Sequence, residues 1–284
     1  MNAIINFTPT GMIPTKEMTK HVPLTPREIV EDVRQARDIG ITMVHLHARN
    51  GNGRPAYQKE IYTEIIEGIR SFDPELVICV SLSGRDFQEF EQRTDCLSLT
   101  GPLKPDMGSL TLSSLNFNRV ASINSPEMIQ KLAEAMKQKK ILPELEAFDA
   151  GMINYAKYLE RKGILEPPHY FNLLCGNIAC AQADLLHAGI MIRDLPENSY
   201  WSLAGIGDTQ LMMNAIAIAT GGGVRVGLED NVWFDTDRKK LASNAELIAR
   251  IHRICEANDR EVMQPTELRK RLKLLEGSGR YGRE

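Results

Sequence analysis

The chain has 284 residues, of which 43% are apolar and 25% charged, and its 34 basic against 37 acidic side chains leave a formal net charge of −3. That balance excludes an electrostatically driven nucleic-acid binder as the default, and no apolar run reaches the roughly 18 residues of a membrane span. Five scattered cysteines without paired spacing fit reduced thiols in the cytoplasm better than a disulfide framework, and Met1 to Phe7 lacks the pattern of a signal peptide.

A first β-rich run covers Ala3–Phe7. A helix then opens at Thr25-Pro26-Arg27-Glu28, where Thr25 and Glu28 form a capping box and Pro26 suits the first helical position. Ile29, Val30, Val33 and Ala36 give it one apolar face, and Gly40 can stop it. A second strand is expected at Thr42–His47, then a helix carrying Ile61, Ile65, Ile66 and Ile69. Further strands are expected at Leu76–Ser81, Met107–Leu112, Ile141–Phe148, Tyr170–Leu174, Tyr200–Ala204 and Val224–Leu228. Ser243-Asn244-Ala245-Glu246 opens a helix that buries Leu247, Ile248, Ile251 and Ile254. Leu268 to Leu275 reads as an appended helix, and Gly277 to Glu284 as a frayed tail. Alternation of this kind implies a parallel sheet, and the length suits a single (β/α)8 TIM barrel over residues 1–276 with an appended C-terminal helix. A doubly wound open sheet is the runner-up.

Chemistry in such a barrel collects where strands end. Residues two apart on a strand share a face, so His45 and His47 can converge on one ion. In Gly223 to Asn231, Arg225, Gly227 and Glu229 share one parity. A buried Arg or Glu is costly unless paired or metal-bound, which makes Glu229 a plausible third ligand and leaves a salt-bridge network as the competing reading. Asp230 follows at the rim, where Arg225 could hold it ionised as a base with a low pKa. Glu144 and Glu146 also share a face; one can be a buried structural acid and the other catalytic. Ser81 and Ser109 can donate to an anionic substrate. Gly205-Ile206-Gly207 is a weak phosphate-loop signal beside Asp208, and the run Gly221 to Gly223 fits a tight turn. His21, His169, His187 and His252 lack ligand spacing, and the cysteines read as small buried apolar side chains.

The chain resembles the β-keto acid cleavage enzyme family. The matching segments, in family order, are Thr10-Gly11, Pro23-Leu24-Thr25-Pro26, His45-Leu46-His47-Ala48-Arg49, Lys104-Pro105-Asp106-Met107, Pro143-Glu144-Leu145-Glu146, Ala204-Gly205-Ile206-Gly207 and Arg225 to Asn231. The resemblance implies an enzyme that converts a 3-keto acid plus acetyl-CoA into acetoacetate plus an acyl-CoA by Claisen-type acyl transfer. It implies Zn2+ on His45, His47 and Glu229, and an Arg225–Asp230 dyad that takes a methyl proton from acetyl-CoA. Glu146 would be a second active-site carboxylate, and Ser81 (or Ser83) and Ser109 would bind the substrate carboxylate. A homotetramer is expected on the same ground. Members acting on an amino-substituted acid carry a Glu where this chain has Ile13, so a 3-keto acid with an uncharged or apolar tail is expected. The stretches around Cys175-Gly176-Asn177 and Asp208-Thr209-Gln210 also differ from the usual forms, which bears on how CoA is bound. Two other readings compete. One is a different metal-dependent TIM-barrel lyase or hydrolase; the other is a non-catalytic metal-binding barrel, which would have no need of a base.

Overall fold

The alternation of β-rich and helical segments resolves into a closed parallel barrel. The computed structural model describes residues 2–283. Its strands are β1 (Ile5–Phe7), β2 (Met43–Leu46), β3 (Ala48–Arg49), β4 (Pro55–Ala56), β5 (Val77–Val80), β6 (Met107–Thr111), β7 (Leu115–Asn116), β8 (Ala121–Ser122), β9 (Leu142–Ala147), β10 (His169–Cys175), β11 (Ser199–Gly205) and β12 (Gly223–Val226). Eight of them close the ring in the order β1-β2-β5-β6-β9-β10-β11-β12, and β12 pairs back onto β1. The remaining four form two short antiparallel hairpins, β3–β4 and β7–β8, after the second and fourth barrel strands. The helices are α1 (Pro26–Ile39), α2 (Lys59–Arg70), α3 (Phe90–Thr94), α4 (Pro126–Gln138), α5 (Ala150–Arg161), α6 (Leu185–Arg193), α7 (Gln210–Ala219), α8 (Asn244–Ala257) and α9 (Pro265–Leu272). This is a (β/α)8 TIM barrel, with α9 as the appended helix. No helix among the described residues is long and apolar enough to cross a membrane.

Both capping boxes form. Thr25 Oγ1 accepts from the Glu28 amide, while the Glu28 carboxylate accepts from the Thr25 amide. Ser243 and Glu246 do the same at the start of α8. These bonds satisfy orphan amides of the first turn, and each cap is worth about 1 kcal/mol. The buried face of α1 is Ile29, Val33 and Ala36, which packs α1 against the barrel.

Inside the ring the two ends differ. The lower layer is apolar: Ile4, Met43, Val77, Cys79, Met107, Leu142 and Tyr170 meet Met263, Leu268, Leu272 and Leu274 from the α9 region, which closes the floor. The upper layer, toward the strands' carboxyl ends, holds His45, Glu144, Asn172 and Arg225, all nearly without solvent contact. That division places the polar chemistry at one mouth.

Two expectations at the carboxyl terminus are corrected. The last helix spans Pro265–Leu272 rather than Leu268 to Leu275, because Pro265 starts it and Lys273 turns left-handed at φ 54°. The segment from Gly277 to Arg283 packs instead of fraying. Tyr281 is buried under the guanidinium of Arg70, the Gly282 amide donates to Asp106, and the Arg283 amide donates to the Lys140 carbonyl. Glu284 lies outside the described residues.

Candidate active site

The pair at the end of β2 does what its spacing foretold, with His45 on the strand and His47 one residue past it. His45 and His47 face each other with their Nε2 atoms 3.2 Å apart, and both are buried. Below them, His45 Nδ1 lies 2.5 Å from Glu144 Oε2 on β9. A carboxylate only accepts, so Nδ1 carries the proton of that bond and Nε2 is the atom left to face the site. Glu144 also accepts from Asn6 Nδ2 at 2.8 Å and from Cys79 Sγ at 3.2 Å. It is therefore the structural acid of the pair on β9, and Cys79 is more than an apolar filler.

Glu229 arrives by another route than the one expected. β12 ends at Val226, so the parity of an extended strand does not reach it. Gly227 turns the chain with φ 158°, and a Cβ there would lie 2.0 Å from the Thr8 carbonyl oxygen. The turn swings Glu229 Oε1 to 3.2 Å from His47 Nε2 and 2.6 Å from an Arg225 Nη. The loop after β1 packs directly on it: a Cβ at Gly11 (φ 63°) would come within 2.5 Å of Glu229 Cγ. Gly11 is thus required both by its backbone and by the close approach of the acid.

Arg225, on β12, ties the acids together. It donates to Asp230 Oδ2 at 2.9 Å and more weakly to Glu146 Oε1 at 3.4 Å, besides Glu229. Thr111 Oγ1 holds the other Glu146 oxygen at 2.7 Å. The Gly207 amide, after β11, donates to the Asp230 carbonyl at 2.7 Å and fixes the rim.

The charges follow from this packing. Burial by itself would lower the pKa of His45, but the carboxylates of Glu144 and Glu229 outweigh it and hold it at about 9. Burial likewise opposes the ionisation of Glu144, yet the His45 imidazolium and its hydrogen bond bring that carboxyl down to about 2. Arg225 and the two histidines hold Glu229 well below the usual carboxylate range against its burial. Asp230 departs from expectation: burial, assisted by the charge of Glu229, raises its pKa despite Arg225. A base between a cation and a neighbouring anion is more basic than one facing the cation alone.

Which residues could hold a metal is decided by the same geometry. The ligand atoms of His45, His47 and Glu229 lie within 4.8 Å of one another. Glu229 Oε2 is buried with no hydrogen-bond partner. Two imidazoles and a carboxylate with one oxygen left over are the donor set of an open divalent-cation site, so these residues fit such an ion. Glu144 then plays the part of the carboxylate that orients a ligating histidine. Replacing Glu144 with Gln is expected to weaken divalent-ion binding about 10- to 100-fold, read by competition with a chromophoric chelator.

The other sequence-derived candidates are spread more widely. Ser81 and Ser83 line a cleft beside His47, together with Met12, Tyr57 and Phe87. Ser109 is buried on β6, and its oxygen accepts from the Leu82 amide at 2.9 Å. Ile13 is 53% exposed and outside that cleft; Met12 is the residue that borders it. Thr111 and Arg85 went unnoticed in the sequence, and Cys79 was read only as a small apolar side chain. The register of β6 against β9, which pairs Thr111 with Glu146, was the signal available for the first.

The model of the beta-keto acid cleavage enzyme family matches residues 2–274. The chain is 34% identical over 274 residues to the 3-keto-5-aminohexanoate cleavage enzyme of Fusobacterium nucleatum subsp. nucleatum, covering 95% of this chain and 97% of that protein. It is 35% identical over 275 residues to the 3-oxoadipate:acetyl-CoA acetyltransferase of Cupriavidus necator, covering 95% and 94%. Among solved structures it is similar to ObcA in ternary complex with a C4-CoA adduct and oxalate. That match has a TM-score of 0.79 and 18% identity, and covers 89% of this chain and 68% of that one. At that identity the likeness concerns the fold.

Proposed function

The chain belongs to the β-keto acid cleavage enzyme family, and from that premise we propose that it is a zinc-dependent enzyme exchanging acyl groups between a 3-keto acid and acetyl-CoA. The acid R–CO–CH2–COO− and acetyl-CoA become acetoacetate and R–CO–SCoA. The observation that carries this reading is the buried, partnerless Glu229 Oε2 beside two converging imidazoles, next to a second carboxylate, Asp230, that Arg225 holds at 2.9 Å outside the ligand set. A non-catalytic binding barrel has no use for the last feature.

His45, His47 and Glu229 would hold the ion, whose Lewis acidity would polarise the keto group. Glu144 fixes the ring of His45. Asp230 is the base. It neighbours Glu229 in sequence and shares Arg225 with it, so it lies where the keto acid is held. It therefore takes the proton from C2 of the keto acid, between the keto and carboxylate carbons, rather than from the thioester methyl. The C2 carbanion attacks the acetyl carbonyl of acetyl-CoA and expels CoA thiolate. The thiolate then attacks the original keto carbon, the C2–C3 bond breaks, and protonated Asp230 returns its proton to C2 to release acetoacetate. Arg225 keeps Asp230 aimed through both half-reactions, and Glu146, held by Thr111 and Arg225, supplies a second carboxylate at the mouth. Ser81 and Ser109 each have their oxygen engaged by a backbone amide, which leaves the O–H of each to donate to the acid's carboxylate.

Incubation with acetyl-CoA and a panel of 3-keto acids, with acetoacetate as readout, tests the reaction. Acetoacetate formation that needs both substrates is the expected result. Treatment with a chelator is expected to abolish it, and one equivalent of zinc to restore it. Cleavage without acetyl-CoA would instead favour a lyase or hydrolase.

A further inference from the structure

Arg85, at the mouth of the barrel, is a cation with no hydrogen-bond acceptor or ion-pair partner among the described residues. It lies on the loop after β5, two residues beyond Ser83, and its backbone amide donates to the Ser83 hydroxyl. Its guanidinium lies over the ring of Phe117, with Cζ 3.6 Å from the centroid. Phe117 belongs to the turn between β7 and β8, and its ring packs edge-on against Phe148 at the end of β9. The hairpin is tied down in turn by Asn177, which donates to the Asn116 carbonyl at 3.0 Å. The supporting surface is therefore rigid on both sides.

What the guanidinium lacks is an acceptor. Among the described residues it makes no hydrogen bond and no ion pair, and its Nε is buried without a partner. A half-buried donor fork left empty is costly, and the planar face of arginine against an aromatic ring keeps the fork pre-ordered for a carboxylate. The guanidinium sits at the carboxyl-terminal mouth, between the loop after β5 and the hairpin that follows β6. Burial lowers its pKa, and the charges that act against this are those of Glu229, Asp86, Glu146 and Asp230, three of them active-site acids. Arg225 is already saturated by Asp230, Glu229 and Glu146. The mouth thus contains a surplus of acidic groups that would repel a doubly charged substrate, and Arg85 is, among the described residues, a half-buried cation there free to receive its second charge.

We propose that Arg85 binds a second carboxylate at the far end of the substrate, so that the enzyme's acid is a dicarboxylic 3-keto acid. This rests on the keto-acid reading above and names its substrate class. Ile13 is half exposed, and its neighbour Met12 borders the cleft beside His47. The phosphates of CoA are the other anions at hand. The pantetheine arm holds them far from the reacting thioester, whereas Arg85 lies within the field of Glu229.

The test compares 3-oxoadipate with 3-oxohexanoate, which have the same six-carbon chain and differ in the terminal carboxylate. Each is assayed with acetyl-CoA, and its binding to the purified enzyme is followed by calorimetry. The parent is expected to favour the diacid in kcat/KM. Arg85→Gln is expected to cut that ratio about 10- to 100-fold, and Arg85→Lys, which keeps the charge, to recover part of it. A ratio that is the same in parent and Arg85→Gln overturns the proposal. So does a rise in the KM for acetyl-CoA with the acid ratio unmoved, which would assign Arg85 to the CoA phosphates. If neither acid turns over, the reaction is wrong, and calorimetry decides this point alone: diacid binding that depends on Arg85 upholds it, and equal binding of both acids by parent and variant overturns it.

Discussion

Asp230→Asn is expected to lower kcat by about 10²- to 10⁴-fold while the zinc content stays at the parental level. The Asn amide is the same size as the carboxylate, and its Oδ1 can still accept from Arg225 Nε, a contact of 2.9 Å in the parent. What it cannot do is take a proton, so the loss should fall on turnover more than on KM. Glu229→Gln forms the contrast. It removes the charge from a carboxylate that the two histidines and Arg225 hold ionised, and is expected to lose both metal and activity. Elemental analysis alongside steady-state kinetics separates the two. Full activity in Asp230→Asn, or zinc lost to the same degree in both variants, would remove Asp230 from the role of base.

The contrast between these neighbours shows what could be read in the residues beforehand. The His-x-His pair was legible because its geometry is local: a strand residue and the one two places on share a face even where, as at His47, the strand has just ended. The capping boxes and the strand–helix alternation are local in the same sense. Glu229 was named for a reason that does not hold, since Gly227 ends the extended run and a turn delivers the acid. The two acids on β9 were visible as a pair, but their division of labour was not. Glu144 meets His45 across the interior from β2, 99 residues away, and Glu146 meets Arg225 79 residues away. The direction of the Asp230 pKa was missed because pairing it with Arg225 alone omits burial and the charge of Glu229. Arg85 was beyond reach altogether, because its interest lies in having no acceptor, and that depends on every neighbour at once.

At the other end of the barrel, Asp106→Asn is expected to destabilise the protein by about 3–5 kcal/mol. Asp106 precedes β6 and has no solvent contact. Its carboxylate accepts from Arg70 at 2.8 Å, from two Arg269 nitrogens at 2.9 Å, and from the amides of Ile78 and Gly282. Arg269 carries α9, so this one acid joins the barrel wall to its floor and to the C-terminal segment. Asn keeps a single acceptor oxygen, leaves Arg70 without a counter-charge and leaves Arg269 with only Glu75 at 3.7 Å, the costly way to break a buried ion pair. Burial works against the ionisation of Asp106, but Arg70 and Arg269 more than offset it and place its pKa below the ordinary value. A carboxyl whose pKa is lower folded than unfolded stabilises fully above the unfolded value, near 3.9, and loses that contribution as the pH falls toward the folded one. The gap in urea midpoint between parent and variant should therefore be constant from neutrality down to about pH 5 and narrow only below about pH 4. Zinc bound per mole of folded protein should not change, since the proposed ligands His45, His47 and Glu229 lie at the opposite mouth. A loss under about 1 kcal/mol at neutral pH would mean that the floor is held by the apolar contacts of Leu268 and Leu272 instead of by this charge.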